Sequence, residues 1–164
     1  MGFGLEYRCS KCKKEYSVSL YEGFDGDETH INTIAQIEEG KYGKQLKSLF
    51  EKNHFLAVDV SMYIYRCSIC GSWKNEKSMD IYEYIGSDMK NELWWEEGID
   101  RIPHYVHPQN KPDKYKLIYQ KAHRCEKCNV EMDQLSREVT EEDMEVPCLK
   151  CGRPNKKISS FIWD

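Results

Sequence analysis

No cysteine in this 164-residue chain stands alone, no basic stretch leads into an apolar one at its start, no apolar run is long enough to cross a bilayer, and positive charge is not in excess. Each absence excludes something. The opening Met1-Gly-Phe-Gly-Leu-Glu-Tyr-Arg-Cys lacks the pattern of a secretory signal. It also carries Glu6 where an N-myristoylation site needs Ser or Thr. The most hydrophobic segment, residues 55–65, is interrupted by Asp59 and is far shorter than a membrane span. A soluble, cytoplasmic chain with no membrane partner is expected. The formal net charge of −4 disfavours nonspecific binding to phosphate. No His-x-Glu precedes a Cys-x-x-Cys, so the pattern of the zinc nucleobase deaminases is missing too.

All eight cysteines fall in Cys-x-x-Cys pairs: Cys9/Cys12, Cys67/Cys70, Cys125/Cys128 and Cys148/Cys151. Random placement would produce roughly 0.4 such pairs, so a chemical cause is required. Tetrathiolate coordination supplies it. Zn²⁺ takes four sulfurs at tetrahedral corners, and a two-residue spacer lets one tight turn present two of them. Four pairs therefore predict two four-cysteine sites and two Zn²⁺ ions, with iron as the alternative metal because it accepts the same ligands. An extracellular disulfide framework also uses even cysteine counts, but paired knuckle spacing without a signal favours reduced, metal-bound thiolates. Each filled site adds −2, which would bring the folded protein to about −8.

Apolar residues make up 40% and charged residues 32%, so a large core is not expected, and metal has to compensate for the burial that small modules lack. Tyr7-Arg8, Tyr65-Arg66 and His123-Arg124 introduce the first three knuckles, and Tyr16-Ser17-Val18-Ser19-Leu20 alternates as a return strand should. The knuckles are expected at hairpin tips. Cys9, Cys67 and Cys125 are spaced by a constant 58 residues. The stretches between them differ in character, and the period reads as coincidence.

Residues 29–53 have helical periodicity, with Gly40 and Gly43 separating two short helices. Val58, Val60, Met62 and Ile64 share one face of a single strand leading to the second knuckle. A strand-like tract runs from Trp73 through residues 79–85, a short helix is expected from Ser87 to Glu97, and residues 99–114 read as a linker containing Pro103, Pro108 and Pro112. Residues 116–124 and 157–163 read as strands, and residues 140–143 as a helical turn. The expected fold is α+β: an N-terminal module over 1–98 with a two-helix insertion, and a second module over 115–164. Proximity groups Cys125, Cys128, Cys148 and Cys151 as one site, leaving Cys9, Cys12, Cys67 and Cys70 as the other.

Gly71 and Gly152 directly follow their knuckles, where the backbone turns left-handed to aim amides at sulfur, and Asn129 holds the equivalent place as the next most tolerant residue. Lys13 departs from that pattern, so the first knuckle either accepts strain or turns differently. On these residues, Pro147-Cys148-Leu-Lys-Cys151-Gly152 above all, the chain resembles the zinc-ribbon superfamily with its rubredoxin-like knuckles. The resemblance implies three-stranded β-ribbons around structural zinc. The whole chain also resembles small uncharacterised bacterial zinc-ribbon proteins, a likeness that brings no activity.

Function divides along the same lines. A closed four-cysteine site offers no open position for hydrolysis, and no convincing helix follows a knuckle to activate a thiol for exchange, so an enzyme and a small-molecule substrate are not expected. His104-Tyr-Val-His107 lies between prolines and reads as loop, and residues 25–30 as a turn into the first helix. The favoured reading is a non-enzymatic adaptor or regulatory subunit working through protein contacts, with Leu93-Trp94-Trp95 as a docking patch. The alternatives are a nucleic-acid-binding zinc ribbon and a rubredoxin-like iron electron carrier. Cations do cluster near the knuckles, but the −2 of each site is reason enough for them to be there.

Overall fold

The computed structural model describes residues 2–21, 26–53, 55–86, 113–135 and 146–163. These form two helices and three small antiparallel sheets, a mixed α and β content that is mostly strand. The chain divides into two compact units, and neither is continuous in sequence. One comprises Met1–Phe24, Ser61–Ser78 and Ala122–Asp164; the other comprises Asp25–Val60 and Met79–Lys121.

The second unit holds both helices, α1 (Gly26–Glu38) and α2 (Lys44–Lys52), and a sheet of β3 (Leu56–Val58), β6 (Ile81–Tyr84) and β7 (Tyr115–Tyr119) in the order β3-β6-β7. The threefold isoleucine pattern is only partly the buried stripe of α1. Ile34 and Ile37 are buried with His30 and Thr33, whereas Ile31 is 47% exposed, so the covered face runs i, i+3, i+4, i+7 from His30. Gly40, at φ 87, ends this helix: its amide bonds to Ile37 O and the Lys41 amide to Gln36 O, the paired bonds of a Schellman turn. Leu46 and Phe50 are the buried residues of α2. They join Ile34, Ile37, Leu56, Val58, Val60, Met79 and Ile81 in one apolar core. The helices thus begin and end close to where the periodicity places them, except that α1 starts within the stretch expected as a turn.

The first unit contains two three-stranded sheets. The outer sheet joins β1 (Gly2–Cys9), β2 (Glu15–Leu20) and β9 (Asn155–Trp163) in the order β2-β1-β9. The inner sheet joins β4 (Met62–Arg66), β5 (Trp73–Lys77) and β8 (Asp133–Gln134) in the order β5-β4-β8. The single strand expected over 58–65 is therefore two, β3 and β4, in different sheets and different units, and the tract after Trp73 divides in the same way into β5 and β6. Continuous apolar patterning hides the break because Val58, Val60 and Ile64 are all buried, in two separate cores. The closing strand β9 pairs with β1 from Gly2↔Trp163 to Cys9↔Asn155, so residues expected in two modules share one sheet.

Inside the first unit the sheets are tied by side chains. Asn75 on β5 donates to Ser19 O at 2.8 Å and to Tyr63 O at 3.0 Å while its carbonyl accepts from Ser19 N at 2.8 Å. Trp73 is buried, donates its indole N–H to Pro147 O at 2.7 Å and meets the Tyr16 ring edge-on. Leu5, Tyr7, Val18 and Leu20 of the outer sheet share a core with Ile64 and Trp73 of the inner one.

Candidate metal centres

Each knuckle is built by the same two backbone hydrogen bonds. The first cysteine's amide bonds to the carbonyl five residues on: Cys9 to Lys14, Cys67 to Ser72, Cys125 to Val130 and Cys148 to Arg153. Its carbonyl in turn accepts from the amide four residues on, that of Lys13, Gly71, Asn129 or Gly152, at 2.7–3.1 Å. That fourth residue must turn left-handed, and all four do, with φ of 59, 69, 53 and 69. Lys13 accepts the strain and does not turn differently. A Cβ at Gly71 or Gly152 would meet nothing within 4 Å, so glycine serves the backbone angle there and not a close approach.

The grouping of knuckles is nested. Cys9, Cys12, Cys148 and Cys151 bring their sulfurs within 4.8 Å of one another, and so do Cys67, Cys70, Cys125 and Cys128. This corrects the grouping by proximity, which set Cys125 and Cys128 with Cys148 and Cys151. The physical reason is strand pairing: β9 carries the fourth knuckle to the first, and β8 carries the third to the second. All eight thiols are free. The closest sulfurs across knuckles are 3.5 Å apart for Cys9/Cys151 and Cys12/Cys148 and 3.6 Å for Cys70/Cys125. A Zn²⁺ ion with 2.3 Å bonds to four sulfurs sets its tetrahedral edge at about 3.8 Å, so either group could hold such an ion with little adjustment. In every knuckle the first cysteine is buried, while the second is half-buried at Cys12 and Cys128 and exposed at Cys70 and Cys151.

The two centres repeat each other in register. Arg8, just before Cys9, pairs with Glu15 on one side and Lys156 on the other; Arg66, just before Cys67, pairs with Trp73 and Asp133. Counted from the first cysteine of each knuckle, these positions are the same. The minimal bridges around the second knuckles, Arg124↔Glu131 and Pro147↔Pro154, match as well. The spacing of 58 residues between Cys9 and Cys67 therefore relates equivalent places, while Cys125 opens a knuckle of the other type.

What surrounds the sulfurs is not repeated. At the outer centre the Tyr16 hydroxyl lies 3.1 Å from Cys148 Sγ, and at the inner centre the Ser72 hydroxyl lies 3.1 Å from Cys70 Sγ. The Ser72 hydroxyl and amide bring the Cys70 thiol down to about 6. Burial pushes Cys148 up, but the Tyr16 hydroxyl and the Cys151 and Lys150 amides outweigh it and bring the thiol to about 6. Their neighbours move the other way: hydrogen bonding to Cys70, then burial, lifts Cys128 to about 12, while Cys151, despite the Arg153 amide, is lifted to about 11 by burial and the adjoining sulfurs. Tyr16 itself is raised to about 12, by burial and then by Cys148. In the inner sheet His123, two residues before Cys125, stacks on Tyr65 at 3.6 Å, with Nδ1 3.0 Å from Glu76 Oε2 and Nε2 3.0 Å from Ser78 O.

Charge differs too. The described strands and knuckles of the outer sheet expose Lys11, Lys13, Lys150 and Arg153 on the knuckles and Arg8, Lys14, Lys156 and Lys157 beside them, against only Glu6 and Glu15. Those of the inner sheet carry Arg66, Lys74, Lys77, Arg124 and Lys127 against Glu76, Glu126, Glu131 and Asp133.

Tyr16, Ser72 and the nesting escaped the sequence reading. A signal for the nesting was present: Tyr-Arg-Cys-Ser-x-Cys occurs at both 7–12 and 65–70, marking two knuckles of one kind that each need a partner of the other. Trp94, Trp95, His104, His107, the helix expected over 87–97, most of the linker and the turn at 140–143 lie outside the described residues. Among the described residues no helix is long and apolar enough to cross a membrane. A scan against family models finds no match for this chain, and searches of curated proteins and of solved structures return no significant match.

Proposed function

We propose that the two four-cysteine groups are structural zinc sites, that each sheet is a zinc ribbon built around its ion, and that the protein is a non-enzymatic adaptor whose surfaces do its work. The observation that carries this is the repetition of one knuckle-and-strand register around two independent sets of four free thiols. Four protein sulfurs complete a zinc tetrahedron and leave no place for water or substrate, so the ion's contribution is to folding. The residues that would hold it are Cys9, Cys12, Cys148 and Cys151 in the outer sheet and Cys67, Cys70, Cys125 and Cys128 in the inner. Hydroxyls from Tyr16 and Ser72 steady one thiolate in each. Reduced thiols in this number fit a cytoplasmic setting. Elemental analysis of protein purified under reducing conditions tests the reading: it predicts two zinc ions per chain and colourless protein, whereas iron with visible charge-transfer bands would make the chain an electron carrier. Affinity capture with the Trp94→Ala, Trp95→Ala variant tests the protein-adaptor role, for which the expected result is loss of captured partners with metal content unchanged.

A further inference from the structure

We propose that the outer sheet is a docking face for single-stranded nucleic acid, with cations around the first metal centre on the phosphates and Phe161 stacked on a base. The proposal extends the reading above, since the knuckles that carry half of those cations are shaped by the metal.

The inner sheet is the internal control for charge. It has the same knuckle backbone and the same four sulfurs, and five cations with four carboxylates are sufficient there. A filled tetrathiolate site asks for the offset of only about two negative charges. Among the described residues, eight cations against two carboxylates around the outer site are an excess over what a filled site asks for. Position sharpens the contrast. Across the inner strands Arg66 faces Asp133, whereas at the equivalent place in the outer sheet Arg8 faces Lys156 on one side and is ion-paired with Glu15 on the other. Glu15 offsets the Arg8 charge, so Lys156 is the cation an anionic ligand would draw on at this position.

The rest of the face matches except at Glu6, whose carboxylate accepts from the Ser159 hydroxyl between the ring and the cations. Leu5 and Tyr7 of β1 are buried, so by alternation Gly4, Glu6 and Arg8 share the opposite face, alongside Phe161, Ser159 and Lys156 of β9. Phe161 is 36% exposed, and its ring lies directly on Gly4, where a Cβ would come within 2.2–2.6 Å of three ring atoms. Glycine costs strand stability at that position, and what it admits is a ring laid flat on the sheet. A ring covering a strand glycine can also be simple local packing. Here it stands on the same face as Arg8 and Lys156, about 13 Å along β1 from the knuckle end, and cations lined up with an exposed ring form the usual platform for single strands. An acidic protein would answer the cations but gives the ring no role.

The test uses the zinc-loaded full chain and fluorescently labelled 20-mers of uridylate and thymidylate, read by anisotropy from 50 to 300 mM salt. The expected result is binding that weakens steeply with salt. Lys150→Ala with Lys156→Ala should weaken it and reduce the log–log salt slope by roughly one to two. Phe161→Ala should weaken it by about fivefold or more with the slope unchanged, the loss of a base stack. Arg66→Ala with Lys127→Ala, on the inner sheet, should change neither. Absence of binding at 50 mM salt overturns the proposal, as does equal loss from the inner-sheet variant. Binding of poly-glutamate as tight as that of the oligonucleotides, with Phe161→Ala silent, also overturns it and assigns the face to an acidic protein. Zinc content and circular dichroism on each sample keep the two readings apart: folded protein with two zinc ions that fails to bind refutes the docking face alone, and folded protein without zinc refutes the metal reading.

Discussion

At the residue before the first cysteine, the outer sheet places Arg8 between Glu15 and Lys156, and the inner sheet places Arg66 between Trp73 and Asp133. The backbone at these two places is alike; the neighbours are not. Every repeated feature belongs to the geometry of presenting two sulfurs from one turn: the two knuckle hydrogen bonds, the left-handed fourth residue and the pairing of three strands. Features that differ belong to what each sheet meets. The inner sheet buries its aromatic and histidine side chains, with Tyr65 stacked on His123 and the ring nitrogens facing Glu76 and Ser78 O. The outer sheet sets a long strand, β9, at its edge with residues 156–162 all exposed. One knuckle scaffold thus appears once beside a stacked histidine and mixed charge and once beside an exposed edge strand rich in cations.

Removing the metal should break both copies at once. Chelation is expected to abolish the strand signature of the first unit, since structural zinc contributes about 10–16 kcal/mol in comparable small modules. The apolar core beneath α1 and α2 contains no cysteine and should keep helical circular dichroism after strand contributions are lost. Next in size is Trp73→Ala, which removes the indole shared by the two sheets and is expected to cost about 3–5 kcal/mol in chemical denaturation, more than truncation of any residue belonging to one sheet alone.

Smaller changes should separate the copies. Tyr16→Phe is expected to weaken zinc held by the outer centre by about 10–100-fold and spare the inner, and Ser72→Ala to do the reverse, as competition with a chromophoric chelator would report. The smallest effects concern the fourth residue of each knuckle. Gly152→Ala forces an L side chain into φ 69 and should destabilise by about 1 kcal/mol, while Lys13→Gly relieves φ 59 and should stabilise by several tenths of a kcal/mol after the added unfolded-state entropy is subtracted. Thermal melts of the zinc-loaded variants measure both.

The parts of this architecture legible in the sequence are those governed by local rules. Cys-x-x-Cys spacing, the glycines after the knuckles and the periodicity around Ile34, Ile37, Leu46 and Phe50 each reflect constraints within a few residues, and the eight cysteines do fall into two groups that could hold metal. The association of knuckles depends on strand pairs far apart in sequence, such as Phe3↔Ile162 and Tyr65↔Gln134, and proximity along the chain carries no information about them. The same limit explains why residues 58–65 read as one strand: burial makes both halves apolar, and nothing local says that Val58 and Ile64 belong to different cores. Tyr16 was hidden for another reason: the sulfur it meets, that of Cys148, is brought to it only by the nesting, whereas Ser72 meets Cys70 two residues away in its own knuckle.

The nesting is the claim on which the rest stands, and a zinc count on two double variants tests it. With Cys9 and Cys148 in one site, Cys9→Ser with Cys148→Ser damages that site alone and should leave one zinc ion per chain, whereas Cys125→Ser with Cys148→Ser damages both and should leave none. If the first variant loses both ions and the second keeps one, the knuckles pair with their neighbours in sequence and the nested account is wrong.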